Sequence, residues 1–176
     1  AKTKHKGVFS ANIFIVFVSI IFFLTLLVNI LPSLATQAIA VGFNKETVAL
    51  AAPFVAINFW YLPLIFAVTF LSTMLQYKHH FATSAFSTAL LNLSLILALY
   101  FSQDKSQGEI VYYLSWGVVA GGIMQLAVHI LAIHKMGLSK LLIGGFKHLR
   151  VKSKIIKKDT RKFTKQFFPA MWGNST

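Results

Sequence analysis

The sequence predicts an all-α fold: a polytopic transmembrane helix bundle with four full spans, a cytoplasmic amphipathic helix and the start of a fifth span. Three observations predict it. Of the 176 residues, 56% are hydrophobic and only 12% are charged, whereas soluble domains carry about 25% charged residues. A soluble protein this apolar could not clothe its surface. The apolar residues also gather into four runs, each long enough to cross a hydrocarbon core of about 30 Å as a helix rising about 1.5 Å per residue. Finally, every Lys, Arg, Asp and Glu lies outside those runs.

The first run is Val8–Leu31, with only Ser10, Asn12, Ser19, Thr25 and Asn29 as polar members. It exceeds the apolar core of a signal peptide, about 7–15 residues, so it reads as a true span. Pro32 ends it, because proline has no amide proton and disfavours helix in the residue before it. Ala35–Thr47 carries Gly42, Lys45 and Glu46 and reads as a short extramembrane connection with an interfacial turn. The second run, Val48–Leu75, contains Pro53 and Pro63. In membrane helices neighbours re-satisfy the carbonyls that a proline frees, so one kinked helix is expected rather than two short ones. Trp60 and Tyr61 sit in mid-run, away from any interface, and are expected to pack against other helices.

Gln76-Tyr77-Lys78-His79-His80 forms a polar turn. The third run is Phe81–Phe101, with Thr83, Ser84, Ser87, Thr88, Asn92 and Ser94 spaced through it. The connector Ser102–Glu109 leads to the fourth run, Ile110–Ile133, which holds Gly117, Gly121, Gly122, Gln125 and His129. Beyond it, Leu142, Phe146, Leu149, Ile156, Phe163 and Phe167 recur on one helical stripe. Lys147, Arg150, Lys154, Lys157, Arg161 and Lys165 form an adjacent basic stripe. This pattern predicts a helix over residues 139–165 lying on a membrane surface and touching anionic phospholipid. Residues 167–176 read as the start of another span, and the chain as an internal fragment of a longer protein.

The formal net charge is +13, from 17 Lys+Arg against 4 Asp+Glu. The distribution argues against nucleic acid, since the cations flank membrane spans and no aromatic-basic motif of the usual RNA-binding modules occurs. With four spans, one side holds Lys2, Lys4, Lys6, Lys78 and the eleven basic residues from Lys135 to Lys165, fifteen in all; the other holds Lys45 and Lys105. By the positive-inside rule both ends are expected in the cytoplasm.

Chemistry-bearing motifs are few. The chain has no Cys, so thiolate metal sites, disulfides and Cys nucleophiles are excluded. No nucleophile elbow, phosphate loop or dinucleotide fingerprint occurs. With no acid in any run there is no buried carboxylate pair for acid/base catalysis. An enzyme is not expected, and no catalytic residue, metal site or cofactor is assigned. His79-His80 lacks a third ligand and reads as a solvated turn. Gly117, Gly121 and Gly122 permit close helix approach in lipid, either as static packing or as a moving interface. Asn92, Gln125 and His129 are costly in hydrocarbon and should face the bundle or a cavity. They either line a substrate path or make interhelical hydrogen bonds.

Taken in order, these pieces resemble the MviN/MurJ family of bacterial lipid II flippases. Ile39-Ala40-Val41-Gly42-Phe43 is similar to the family's "APGF" connector after its third span, and Phe59-Trp60-Tyr61-Leu62 to its "FPYI" segment. Phe81-Ala82-Thr83-Ser84-Ala85-Phe86 with Leu90-Leu91-Asn92 resembles "FxxPAFxPxLLN". Gly117-Val118 with Gly121-Gly122-Ile123-Met124-Gln125-Leu126 resembles "GVxxGGxxQL". Phe168-Pro169-Ala170-Met171-Trp172-Gly173-Asn174-Ser175 resembles the opening of the seventh span. Trp60, Ser84 and Thr88 stand where the family usually has proline, so kinks at those positions are not implied.

The resemblance implies a place in the first lobe of one membrane domain, from the third span to the start of the seventh. It also implies a bacterial cytoplasmic (inner) membrane location. The implied activity is movement of the lipid-linked peptidoglycan precursor from the inner to the outer leaflet by alternating access, in cell-wall biosynthesis, together with the remaining spans of the same protein. The family's cavity arginines lie on spans outside this chain, so none is carried over. Asn92 and Gln125 are the matched polar positions. Two other readings stay open: another member of the wider exporter superfamily, moving polysaccharide-lipid or drugs, and a non-transporting membrane scaffold with a basic cytoplasmic tail.

Overall fold

The structure, a computed structural model, describes residues 2–140 together with Ile143 and Arg161. Among the described residues six helices follow in order: α1 (Lys2–Ile30), α2 (Pro32–Ile39), α3 (Lys45–Phe59), α4 (Tyr61–Tyr77), α5 (Ala82–Ser102) and α6 (Gln107–Lys135). Four stretches are long and apolar enough to cross a membrane: Ser10–Ile30, Lys45–Tyr77, Ala82–Ser102 and Gln107–Lys135. They coincide with the four runs of the sequence to within a few residues at each end. Of the predicted surface helix over 139–165, only residues 139, 140, 143 and 161 are described. The predicted span start at 167–176 lies outside the described residues.

The chain forms two compact units, Val18–Lys135 and Ala1–Phe17 with Met136–Thr176. In the described part of the second, Gly137 takes φ 69° just beyond the end of α6, the left-handed conformation that favours glycine after a helix.

Helix ends follow from local chemistry. Asn44 caps α3, its side-chain oxygen accepting from the Thr47 amide at 2.8 Å. Ser106 precedes α6, and the Glu109 carboxylate accepts from both its amide (3.0 Å) and its hydroxyl (2.7 Å), the reaching-back half of a capping box. At the end of α4, His79 sits at φ 59°. Its amide donates to Gln76 O at 2.8 Å and the His80 amide to Leu75 O at 3.0 Å. This is a Schellman closure with histidine in the place glycine usually takes. It turns the chain sharply enough for α5 to return beside α4.

One expectation is corrected. The connection over 35–47 contains a helix, α2, packed against α3. Pro32, which stops the first span, opens α2, because the first helical position needs no amide proton. The second run is, as expected, one membrane-length helical stretch, Lys45–Tyr77, broken only by a tightened turn at Trp60, which itself keeps helical dihedrals of φ −65° and ψ −20°. The Trp60 amide donates to Ile57 O at 3.1 Å, a tightened turn that leaves Ala56 O without its usual intrahelical donor. Pro63 has no amide to offer Phe59 O. The break thus arises beside Pro63 although Trp60 itself is no proline.

Neighbouring α1 occupies both freed carbonyls. The Thr25 hydroxyl donates to Phe59 O at 3.3 Å and the Asn29 amide to Ala56 O at 3.1 Å. Trp60 Nε1 returns a bond to Asn29 Oδ1 at 3.3 Å, and its ring meets Phe22 edge-on. This is the re-satisfaction that a broken helix needs in lipid.

α6 packs against α3, α4 and α5 and is the most buried of the four spans. At the Ser102–Gln107 end, Tyr100, Phe101, Tyr112, Tyr113 and Trp116 are all exposed, the placement of an aromatic belt at a membrane–water boundary.

Candidate functional site: a polar seam between α4, α5 and α6

α6 turns a small-residue face to its neighbours. A Cβ added at Gly117 would lie 2.8 Å from Ala98 Cβ; one at Gly121 would lie 2.7 Å from Leu91 Cδ1 and 3.2 Å from Leu91 Cα. One at Gly122 would lie 2.8 Å from the Tyr61 ring. Two glycines therefore face α5 and the third faces α4. The approach is close enough for the Ser94 hydroxyl to donate to Gly117 O at 2.7 Å.

One turn further along α6, Gln125 joins all three helices. Its Nε2 donates to Ser87 O on α5 at 3.0 Å, and its Oε1 accepts from the Tyr61 hydroxyl on α4 at 3.1 Å. Gln125 is 4% exposed and His129, one turn beyond, is 0% exposed. His129 Nδ1 lies 2.8 Å from Gln125 O. Toward the α4–α5 turn, Ser72 and Ser84 bring their hydroxyls to 2.5 Å, Gln76 Nε2 donates to Ser72 Oγ at 3.0 Å, and His80 Nε2 lies 2.8 Å from Thr83 Oγ1. At the opposite end, Asn58 on α3 donates to Ser115 Oγ on α6 at 3.0 Å.

Of the three polar positions singled out in the sequence, the structure brings together Gln125 and His129. Asn92 lies on an exposed face of α5. Gly117, Gly121 and Gly122 all stand at helix contacts. Among the basic-stripe residues, Lys147, Arg150, Lys154, Lys157 and Lys165 lie outside the described residues, and Arg161 is helical and exposed. Sequence reasoning did not single out Thr25, Asn29, Asn58 or Tyr61 as site residues. Asn29 carried the clearest available signal, an amide in the last turn of an apolar run, but its partners lie on a helix interrupted at a position the sequence leaves unmarked.

Hydroxyls, the carboxamides of Asn58, Gln76 and Gln125 and the imidazoles of His80 and His129 supply the polar atoms of the seam, and no Lys, Arg, Asp or Glu takes part in these bonds. Among the described residues no group of three or more His, Cys, Asp or Glu could hold a metal ion. Such a set can hold helices in register and position neutral dipoles. It offers no charge to a phosphate.

Comparison with known proteins places the architecture. The family model described as "Lipid II flippase MurJ" matches residues 1–176. The chain belongs to the lipid II flippase MurJ family. It is 45% identical over 183 residues to a "Probable lipid II flippase MurJ" of Helicobacter pylori, covering 99% of this chain and 40% of that protein. The protein of the same name from Rhizobium tropici is 33% identical over 138 residues, covering 74% of this chain and 26% of that protein. The chain thus spans about 40% of the length of its Helicobacter relative. No solved structure matches it.

In this member of the family Gln125 is a three-helix clamp, and its removal should be read in stability. Gln125→Leu leaves the Tyr61 hydroxyl without its acceptor and should lower stability in lipid by about 1–2 kcal/mol, the range of interhelical hydrogen bonds in membranes. Asn92→Leu, on an exposed face, should change it by less than about 0.5 kcal/mol. Equilibrium unfolding of both variants in bicelles checks this; a neutral Gln125→Leu would show that the clamp carries no load.

Proposed function

We propose that this chain is part of the first lobe of a lipid II flippase, moving the lipid-linked peptidoglycan precursor from the inner to the outer leaflet of the bacterial cytoplasmic membrane. The observation that carries this reading is the family match over residues 1–176. The activity is transport by alternating access, with no bond made or broken, so the protein is not an enzyme. The role assigned to these four spans is wall and scaffold. A pyrophosphate headgroup calls for cationic forks, which suit phosphate geometry, and the seam between α4, α5 and α6 contains no Lys or Arg among its hydrogen-bonded residues. Contact with the headgroup charge therefore falls to the remaining spans of the protein.

Depletion of the full-length protein in growing cells should cause lipid-linked peptidoglycan precursor to accumulate. Unchanged precursor levels, with loss of a surface polysaccharide or of drug resistance instead, would favour another exporter-superfamily activity. Loss of neither would favour a non-transporting scaffold.

The sidedness belongs to the same proposal. Fifteen Lys and Arg on one side against two on the other put both ends of this segment in the cytoplasm. The basic stripe from Lys147 to Lys165 then lies against anionic phospholipid of the inner leaflet. Because the chain has no native Cys, single-cysteine labelling is unambiguous. Ser106→Cys should react with an impermeant thiol reagent from outside intact cells, and Ser153→Cys should not; the reverse pattern would overturn the orientation.

A further inference from the structure

Among the described residues, the buried side-chain polar atoms of the seam all have hydrogen-bond partners, with a single exception. His129 Nδ1 lies 2.8 Å from Gln125 O. A carbonyl oxygen only accepts, so Nδ1 carries the proton; in the tautomer that carries this proton alone, Nε2 presents a lone pair. That Nε2 is the one buried side-chain nitrogen or oxygen without a hydrogen-bond partner among the described residues, and the residue is 0% exposed. Buried polar atoms are almost always paired, with protein or with water.

Register shows what stands beside it. Gly117 meets Ser94 and Ala98, Gly121 meets Leu91 and Ser94, and Gln125 meets Ser87. Each turn forward on α6 thus matches one turn back on α5. The next turn places residue 129 level with residues 83 and 84. Thr83 and Ser84 belong to the hydroxyl group at the α4–α5 turn, joined to His80 and to Ser72 and Gln76. Exposure falls steadily along that group: Gln76 is exposed, His80 and Ser84 are half-buried, Ser72 and Thr83 are buried.

We propose that His129 Nε2 is a binding site for water, reached from the α4–α5 turn along the hydroxyls of Ser72, Thr83 and Ser84. The ligand must donate a hydrogen bond, be small and carry no charge. The charged residues of α4, α5 and α6 are Glu109 and Lys135, at the two ends of α6; none lies in the turn that carries His129 to balance an ion, and an unpaired charge in hydrocarbon is far costlier than a neutral dipole. Water meets all three requirements, and a buried water usually has about three polar partners, which this imidazole and the neighbouring hydroxyls can supply. The seam is then wet at its His129 end and dry at its glycine end, where the Ser94 hydroxyl is held by Gly117 O. This proposal stands apart from the flippase reading and survives its failure.

Magic-angle-spinning NMR of the protein in lipid bilayers, labelled with 15N-histidine, tests it. His129 signals are assigned by their loss in His129→Phe. The expected result is a neutral ring with Nδ1 protonated, and magnetisation transfer from water protons to Nε2. In a Thr83→Val/Ser84→Ala variant the tautomer should persist while the transfer falls several-fold. In Thr73→Val, whose exposed hydroxyl only bonds its own helix at Thr69 O, transfer should equal that of the parent. A dry Nε2, a protonated Nε2, or transfer unchanged in the Thr83/Ser84 variant would each overturn the proposal.

Discussion

The close approach of α6 to α4 and α5 is the constraint on which the rest of this bundle depends. In lipid there is no hydrophobic force to press helices together; packing and a few polar contacts must suffice. The absence of a Cβ at Gly117, Gly121 and Gly122 brings backbone against backbone and ring against backbone. Only at that separation can the short Ser94 side chain reach Gly117 O. The same approach sets the register that puts Gln125 between Tyr61 and Ser87. Glycine costs helix propensity of about 1 kcal/mol relative to Ala; here the cost is offset by contacts that a larger residue would forbid.

A second consequence of the lipid environment appears where the long stretch Lys45–Tyr77 is interrupted. A frayed carbonyl in water is hydrated, but in hydrocarbon it must find a protein donor. Pro63 and the tightened turn at Trp60 free Phe59 O and Ala56 O, and Thr25 and Asn29 meet them from α1. The interruption and the polar residues of α1 are thus one feature read from two helices. It also accounts for two aromatic residues in the middle of the apolar stretch Lys45–Tyr77. Trp60 and Tyr61 each use their polar tip on a side-chain amide, of the half-buried Asn29 and the buried Gln125 respectively.

The spans were legible because their signal is local: an apolar run of sufficient length bounded by charge has few other meanings. The glycine contacts were legible for a related reason, since small residues spaced by four on an apolar helix share one face. Partnerships were not. That Gln125 would bond Ser87 and Tyr61, or Asn29 the carbonyl of Ala56, depends on the register of distant helices, which no periodicity encodes. Residue type likewise does not encode surroundings: Asn92 is exposed on α5, whereas Gln125 and His129 are buried on α6. The helix over Pro32–Ile39 was hidden because proline ends one helix and begins another with equal ease.

The stability of Gly117→Ala in lipid tests the dependence on close approach most directly. The added methyl would lie 2.8 Å from Ala98 Cβ, an atom fixed to the α5 backbone, whereas at Gly108 an added Cβ meets nothing within 4 Å. Overpacking of this kind costs about 1–3 kcal/mol. The account predicts a loss of that size for Gly117→Ala, its recovery when Ala98→Gly is added, and no loss for Gly108→Ala. A Gly117→Ala variant as stable as the parent, or a loss that Ala98→Gly does not recover, would contradict it.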